Sequence, residues 1–349
     1  MSMGFRARPW AGLDVGEYSV KLLALQPGVG GSRYFAAEAP LARAAGEPAP
    51  APDALARTID DCFAAAGFSP RALAGLTLGL ATADVIVKQI GLPLMDDADV
   101  PGALRFEARK HLPFDPQSCV IDWQVLGRVP SEKRLEVLLA AVPQERLDRA
   151  LAPLQLLGIE ADIVDAAPLA LTNALSRNAE RDTEARVMLD FGHHGSWLTL
   201  YQRGAPYFSR RLDFGGSFVT QTIARLTRVP LEEAEEWKLE AGADDPTLRV
   251  APDSPEMQAV REAMMAIAEE LRRSFAFYRT LGPLPDPFSL WLAGSTARLP
   301  GISAQLSELL DVPTFVFDPL DGLSAAAGGA ARTGAPQFAL AFGLASRNA

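Results

Sequence analysis

The chain has 349 residues, of which 33 are Lys or Arg and 43 are Asp or Glu, so its formal net charge is −10. Hydrophobic residues make up 48% and charged residues 22%, which excludes a disordered tail, a collagen-like fibre and a small disulfide scaffold. The acidic balance also argues against a nucleic-acid surface, because phosphate backbones are bound by clustered Lys and Arg. The length predicts about two domains, since one domain usually holds roughly 100–200 residues.

The sequence carries no apolar run long enough to cross a bilayer. Its most apolar stretch, 72–87, is interrupted by two threonines and an aspartate. The first ten residues are not followed by the apolar core of a secretory signal. Cys62 and Cys119 match no metal-ligand spacing, so we expect reduced thiols. These features predict a cytoplasmic protein without direct membrane insertion.

The opening of the chain predicts two strands joined by a turn. Residues 11–25 contain an apolar run, an Asp-x-Gly turn at Asp14–Gly16 and a second apolar run. The elements predicted next are a strand over 33–40, a helix over 53–66 with Asp53 as its N-cap, and strand structure over 76–90. We assign residues 1–93 to the N-terminal part of a first lobe.

A compact unit follows at 94–165. Its predicted elements are, in order, a helix over 100–111, strands over 119–129 and 134–142, a helix over 144–157 and a strand over 159–164. A long helix then occupies 166–177, which indicates that the first lobe resumes over 166–183. We therefore interpret 94–165 as a subdomain inserted into the first lobe.

The second half of the chain repeats the opening pattern. Residues 187–201 again contain an apolar run, an Asp-x-Gly turn at Asp190–Gly192 and a second apolar run. A repeat with a period of about half the chain predicts a duplicated α/β domain with a cleft between the copies. We assign 184–349 to a second lobe, with a helical subdomain at 226–285 and a buried helix near the end of the sequence.

Both Asp-x-Gly turns have the residue types of a phosphate site. Glycine allows the backbone to approach an anion closely, and successive N–H groups form an anion-binding concavity. The aspartates cannot contact phosphate favourably, but they can hold Mg²⁺ through its waters, since Mg²⁺ keeps its hydration and uses one or two carboxylates. One Asp-x-Gly is common in turns, whereas two copies in matching contexts indicate a phosphate-binding cleft.

Three later motifs are compatible with the same cleft. Gly215 and Gly216 precede a helix, and Glu235 and Lys238 share one face of the next predicted helix. That pair has two interpretations, a contact with a ribose or an ordinary surface ion pair. Last, a strand runs into a turn at Gly294, where a flat base can lie against the backbone, although such turns also simply connect strands to helices.

The order of these motifs resembles the actin-like ATPase superfamily, and within it the PilM family of type IV pilus proteins, which is related to the division protein FtsA. The residues that carry the resemblance are 12–16 with 19–21, 106–114, 210–216, 234–238 and 272–278. The resemblance covers nearly the whole chain. It implies an α/β, actin-like (ribonuclease H-like, duplicated) two-lobed ATPase fold, in which 94–165 is the inserted subdomain that PilM and FtsA carry.

The resemblance implies ATP and Mg²⁺ as ligands. The implied roles are a first phosphate loop (Asp14, Gly16, Ser19, Lys21), a second phosphate loop (Asp190, Gly192, Ser196), contact with phosphates or ribose (Gly215, Gly216), contact with the ribose (Glu235, Lys238) and contact with the base (Gly294, Ser295). Asp190, together with Asp14, would hold the Mg²⁺ through water. The sequence shows no residue that would orient an attacking water, so we expect weak ATPase activity at most.

The resemblance also implies a cytoplasmic ATP-binding scaffold of the type IV pilus assembly machine. In the family, the N-terminal tail of the membrane protein PilN lies in a groove between the first subdomain and the insert. A peptide docked in this way would bring the chain to the inner membrane through a protein partner. Nucleotide would close the two lobes, and other pilus components and self-association are further expected contacts.

Four residues depart from the family pattern. Glu17 stands where the family has a small hydroxyl residue, His193 and His194 replace small residues, and Ala293 replaces a glycine. Glu17 and Ala293 favour an alternative, a nucleotide-free adaptor similar to the type II secretion protein GspL, whereas the intact Asp14, Lys21 and Asp190 oppose it. A sugar kinase would need a substrate-side catalytic aspartate, and an FtsA-like division role predicts a C-terminal amphipathic helix; the sequence shows neither.

Overall fold

The computed structural model describes residues 7–28, 31–41, 50–177, 185–202, 205–243, 251–281, 288–326 and 335–348. In chain order the strands are β1 (Trp10–Val15), β2 (Ser19–Gln26), β3 (Arg33–Pro40), β4 (Gly75–Leu80), β5 (Ile86–Pro93), β6 (Cys119–Val129), β7 (Arg134–Pro143), β8 (Ile163–Ala166), β9 (Ala185–Phe191), β10 (Ser196–Gln202), β11 (Ala205–Leu212), β12 (Phe288–Ala293), β13 (Thr314–Val316) and β14 (Ser324–Ala325). The helices are α1 (Pro52–Ala66), α2 (Val100–Glu107), α3 (Gln144–Leu156), α4 (Ala167–Arg177), α5 (Gly216–Thr227), α6 (Leu231–Ala241), α7 (Pro255–Leu281), α8 (Ile302–Leu310) and α9 (Ala339–Ala345). Among the described residues, no helix is both long and apolar enough to cross a membrane.

Two large mixed sheets have the same internal order. The first is β14-β3-β2-β1-β4-β8, and the second is β11-β10-β9-β12-β13. In each, a central strand (β1 or β9) pairs antiparallel with the next strand of its hairpin and parallel with a strand on its other side. This correspondence confirms the predicted duplication, and it places the Asp-x-Gly turn of each copy at the end of its central strand.

Each lobe has its own apolar core. In the first lobe, Ile59 and Phe63 of α1 pack against Leu13 and Leu22 of the sheet. In the second lobe, one face of the long helix α7 packs against β9 and β12, because its apolar residues recur every three or four positions. A third core joins the lobes, with α4 and α9 packed around Trp197 of β10.

The strand structure expected over 76–90 is two strands that belong to different sheets. β4 lies in the first large sheet, whereas β5 pairs with β7 in a three-stranded sheet of order β5-β7-β6. Ile90 and Leu92 of β5 share a core with Val100 and Leu104 of α2. The inserted unit therefore starts at β5, within the range that we assigned to the first lobe, because its pairing partner lies far along the chain.

The end of the expected insert also belongs elsewhere. α3 packs against α1, and β8 pairs in parallel with β4, so both elements form part of the first lobe rather than of the inserted sheet. The insert touches the second lobe as well, since the Gln89 amide of β5 donates a hydrogen bond to the Pro206 carbonyl of β11 at 3.0 Å. The three-stranded sheet thus lies against both lobes.

The last described elements return to the first lobe, although 184–349 was assigned to the second. β14 pairs with β3, and the fully buried helix α9 packs against α4, β1 and β2. Glycine is required at two of these contacts: a Cβ on Gly12 would overlap the Ala341 carbonyl oxygen, and one on Gly343 would overlap that of Ala170. The final helix therefore completes the core of the first lobe.

The start of α1 differs in detail from its prediction. The N-cap is Ala51 and Pro52 is the first helical residue, so Asp53 is not the cap. Instead, Asp53 lies in the first turn, where its carboxylate is 3.1 Å from Arg57 Nη1. Proline is favoured at this position because its missing N–H would have no helical partner and its fixed φ suits a helix.

Candidate functional site

The two lobes enclose a cleft of about 960 Å³, lined by the turns that follow β1 and β9. The predicted site residues that line it are Asp14, Gly16, Ser19, Lys21, Asp190, Gly192, Gly216, Glu235, Lys238, Gly294 and Ser295. Because the two copies place their turns at equivalent ends of their central strands, motifs from distant parts of the chain meet here. Ser196 and Gly215 are not among the lining residues.

On the first-lobe side, three charged side chains lie on neighbouring strands. Asp14 is directly opposite Lys21, and Lys21 is directly opposite Glu38. The Lys21 Nζ lies 3.8 Å from Asp14 Oδ2 and 3.9 Å from Glu38 Oε1, and the Ser19 hydroxyl donates to Glu38 Oε1 at 2.8 Å. Sequence reasoning missed Glu38; its signal is its position two residues before the end of β3.

The carboxylates of the two turns repel each other across the cleft. Burial raises the pKa of Asp14, Lys21 lowers it and Glu38 raises it further. Burial also raises the pKa of Asp190 to about 7, with a further rise from Asp14 and an opposing effect of Lys21. In the β9–β10 ladder Asp190 faces Trp197 rather than a lysine, so Lys21 serves both carboxylates. The cleft floor therefore carries more negative than positive charge when both acids are ionised.

This donor set fits a hydrated Mg²⁺ that arrives with a phosphate ligand. Mg²⁺ uses one or two carboxylates and completes its octahedron with water and phosphate oxygens. In the ranges that the structure describes, no group of three or more His, Cys, Asp or Glu side chains is placed to hold a metal ion. Asp14 and Asp190 would hold the ion, and its charge would relieve their repulsion.

The turn after β9, which we predicted as the second phosphate loop and call the second phosphate turn, is hydrogen-bonded to the start of α5. The backbone N–H of Gly216 donates to the Gly192 carbonyl, and that of Ser217 to the His193 carbonyl, both at 2.9 Å. A Cβ on Gly215 would overlap both of these carbonyl oxygens, which explains the glycine. Gly215 and Gly216 thus pack against the turn after β9. The N–H groups of Gly216 and Ser217 already donate to backbone carbonyls of that turn.

Ser196 is placed in the core rather than at the cleft. Its side chain is fully buried, and its hydroxyl donates to the Phe214 carbonyl at 2.7 Å. Side chains alternate along a strand, so Ser196 points away from the cleft and its neighbour Trp197 lines it. The alternation explains why Ser196, which the resemblance assigned to the second phosphate loop, does not lie at the cleft.

Glu235 and Lys238 are not a surface ion pair. Lys238 is 8% exposed, and its Nζ donates to Glu235 Oε2 at 2.7 Å, Thr220 Oγ1 at 2.8 Å and the Gly216 carbonyl at 3.1 Å. Burial lowers the pKa of Lys238, and Glu235 opposes this shift. Lys238 therefore uses all three of its N–H donors, two of them to join α6 to α5 and one within α6. Glu235 is the member of the pair that we assign to the ribose.

At the turn that follows β12, glycine is required at position 294, whereas alanine fits at position 293. Gly294 has φ +83°, and a Cβ there would overlap the Phe191 carbonyl oxygen. Ala293 is fully buried in the core between the lobes and does not line the cleft. The alanine at the position of the family glycine therefore does not narrow the site.

The other three departures from the family pattern meet at the mouth of the cleft. Glu17 Oε2 accepts the His194 backbone N–H at 3.0 Å, and Glu17 Oε1 lies 3.4 Å from Arg211 Nη2. The His193 and His194 rings are 4.4 Å apart, and the Tyr18 ring lies 5.2 Å from His193. Burial is the main reason that the pKa of His193 falls to about 4, so this ring is neutral at physiological pH.

Comparisons with solved structures agree with this architecture. A structure described as the PilM-PilN type IV pilus biogenesis complex is 26% identical, covers 98% of each chain and superposes with a TM-score of 0.78. EutJ from Carboxydothermus hydrogenoformans is 14% identical, covers 96% of this chain and 88% of its own, and has a TM-score of 0.57. MreB5 of Spiroplasma citri bound to ADP is 12% identical, and the match covers 96% of this chain and 94% of MreB5 with a TM-score of 0.51. The last two show the fold alone.

Sequence comparisons lead to the family. The cell division protein FtsA of Borreliella burgdorferi is 25% identical over 179 residues, which are 47% of this chain and 43% of that protein, so the match spans less than half of the relative. The profile of the family described as type IV pilus assembly protein PilM matches residues 12–349. The chain is thus an actin-like fold protein that belongs to the PilM family of type IV pilus assembly proteins.

Proposed function

We propose that this chain is an ATP-binding scaffold of the type IV pilus assembly machine. The observation that carries the proposal is the pair Asp14 and Asp190, which face one cleft and share Lys21. With Mg²⁺ between the carboxylates, Lys21 and the backbone N–H groups of the turns can meet the phosphates. Binding would draw the two lobes together, because each lobe supplies one aspartate.

The proposed ligand is consistent with the rest of the cleft. Glu235 would accept hydrogen bonds from a ribose, and the turn at Gly294 and Ser295 would lie against the base. MreB5, which shares the fold, was solved with ADP, and we extend nucleotide binding to this chain by analogy. Hydrolysis would be slow, since no described cleft residue stands out as the group that orients an attacking water.

The proposed partner is the cytoplasmic tail of a PilN-like inner-membrane protein, and the proposed location is the cytoplasmic side of that membrane. Support comes from the 26% identical chain, which was solved in a PilM-PilN complex. The cleft also extends past the phosphate turns, between the loop 81–84 and the side of α3 that carries Arg146 and Arg149. An extended peptide could dock there, beside the loop that connects the first lobe to the inserted sheet.

A nucleotide-free adaptor is the second candidate. One observation favours it: Glu17 already joins the two turns across the mouth of the cleft, so lobe closure does not require a ligand. This candidate predicts the same partner and no response to ATP.

Calorimetric titration with Mg-ATP separates the two candidates. We expect the unmodified chain to bind, and Asp190→Asn to bind at least about tenfold more weakly, since one metal-holding carboxylate is lost. Asp60→Asn makes the same chemical change at an exposed position on α1 and should leave binding unchanged. If the folded, unmodified chain shows no binding, the scaffold is an adaptor and the ATP proposal fails.

A further inference from the structure

We propose that the second phosphate turn contains an anion subsite that the chain fills with its own Glu17 carboxylate. The subsite consists of the His194 backbone N–H and the Arg211 guanidinium, and the terminal phosphate of a nucleotide would replace Glu17 there. The identity of the incoming anion rests on the proposed ATP binding; the internal contact does not.

The contacts cross from one lobe to the other. Glu17 lies in the turn between β1 and β2, whereas His194 lies in the turn between β9 and β10 and Arg211 lies on β11. Glu17 Oε2 accepts the His194 N–H at 3.0 Å, and Glu17 Oε1 is 3.4 Å from Arg211 Nη2. The Tyr18 ring contacts His193, so two consecutive residues of the first turn touch the second turn.

Arg211 is held in place from its other sides. A Cβ on Gly195 would overlap the guanidinium, which shows that Arg211 lies directly on the backbone of the second turn. Its side chain is 21% exposed, whereas that of Glu17 is 45% exposed. A second acid, Asp213, lies 3.7 Å from Arg211 Nη1, but its side chain is 99% exposed, so water screens that pair.

This pair of donors is chemically suited to phosphate. A guanidinium and a backbone N–H in a concave turn are the groups that recognise phosphoryl oxygens, and a carboxylate accepts hydrogen bonds from the same donors. While Glu17 occupies them, Arg211 is neutralised and a carboxylate lies at the mouth of the cleft. An incoming triphosphate therefore has to displace Glu17 and is repelled by it until it does.

Two variants separate the role of Glu17 from that of Arg211. Glu17→Ser removes the competitor and leaves Arg211 available, so we expect ATP to bind roughly three- to tenfold more tightly, the range of one partly buried charge pair. Arg211→Ala removes the contact and the phosphate donor together, so its ATP affinity should not rise. The gain in Glu17→Ser should be largest for ATP, smaller for ADP and absent for adenosine.

Glu233→Gln provides the matched control, because it removes one negative charge at an exposed position on α6. It should change none of the three affinities. A Glu17→Ser chain that folds normally and binds ATP no more tightly than the unmodified chain would overturn the proposal, as would an equal gain for adenosine.

A distance measurement without nucleotide tests the internal contact independently. Spin labels at Asp60→Cys on α1 and Glu308→Cys on α8 report on the two lobes, in a Cys119→Ser background that leaves the buried Cys62 unlabelled. Both Glu17→Ser and Arg211→Ala should broaden or lengthen the distance distribution. If no variant binds ATP, the function proposed above fails, and the distances alone decide: broadening in both variants supports the Glu17 contact, and unchanged distances overturn it.

Discussion

The charge state of Asp190 depends on the fold. Burial and the nearby Asp14 raise its pKa from the ordinary aspartate value of 3.8 to about 7. The folded chain therefore holds a proton between about pH 4 and pH 7 that the unfolded chain releases. The free energy of unfolding falls as the pH rises through this window, by on the order of 4 kcal/mol for three pKa units.

We expect Asp190→Asn to remove this pH dependence. Without Mg²⁺ or nucleotide, the variant should be several degrees more stable than the unmodified chain at about pH 8 and similar to it near pH 4–5, because the amide stays neutral. Thermal unfolding followed by circular dichroism across this range measures the difference. Asp60→Asn, at an exposed position, should keep the unmodified profile, and an identical profile for Asp190→Asn would contradict the assignment.

At the scale of elements, Lys238 joins two helices that contact the cleft. Two of its hydrogen bonds link α6 to the first turn of α5, a third stays within α6 at Glu235, and Thr220 also donates to Glu235. Lys238→Met would remove the buried positive charge from the Glu235 carboxylate and leave the Thr220 hydroxyl as the donor near both that carboxylate and the Gly216 carbonyl. Removal of one partner from a buried pair costs more than the pair contributes, because the remaining charge keeps its desolvation penalty.

We expect Lys238→Met to lower the free energy of unfolding by about 3 kcal/mol, as measured by urea denaturation. Arg225→Met is the matched control on α5, where the Arg225–Glu262 pair is 2.8 Å long but its side chains are 61% and 49% exposed. That control should change stability by no more than about 0.5–1 kcal/mol. Equal losses in the two variants would show that Lys238 does not connect the helices as described.

Some of the strands and helices could be predicted from the local sequence pattern alone. The Asp-x-Gly hairpins and the helix predicted over 53–66 follow from alternation or from three-to-four-residue spacing, and the structure has these hairpins and a helix over Pro52–Ala66. The assignment of β4 and β5 to different sheets could not be predicted, because only their distant pairing partners, β8 and β7, distinguish the two strands. The Asp53 cap was wrong because a proline one residue earlier already starts the helix.

At the scale of the whole molecule, the net charge of −10 bears on the proposed recruitment to the membrane. An acidic surface is repelled by anionic lipid, so the global field does not favour direct attachment. Recruitment is then expected to depend on a protein partner whose tail docks into the chain. ATP would likewise bind where Lys21, backbone N–H groups and Mg²⁺ locally overcome the same field.

Co-sedimentation with vesicles tests this recruitment. We expect the chain to stay in the supernatant with vesicles of anionic lipid and to sediment with vesicles that display a tethered PilN-like tail peptide. A tethered peptide of scrambled sequence is the control for nonspecific adsorption. Sedimentation with bare anionic vesicles, or no retention by the PilN-like peptide at micromolar concentration, would contradict the partner proposal.

The candidate site was predictable as far as its residues belong to local motifs. The Asp-x-Gly spacing identified Asp14 and Asp190, the family resemblance added Lys21, and the fold brings all three to one cleft. Spacing did not show that Ser196 faces the core or that Glu38 and Arg211 join the site, since those facts depend on strand alternation and on cross-strand neighbours. Charged residues with no motif of their own are recognised only through their partners.

Short-range order along the chain was enough for the fold class, the duplication and the two acidic turns, because hairpins, helices and glycine turns depend on residues close in sequence. Contacts between residues far apart required the folded molecule. These contacts show that α9 belongs to the first lobe and that the inserted sheet begins with β5. They also show that Lys238 is buried beside its hydrogen-bond acceptors and that Glu17 pairs with Arg211. The physical reason is that burial, desolvation and charge pairing depend on neighbours that the sequence separates by tens to hundreds of residues.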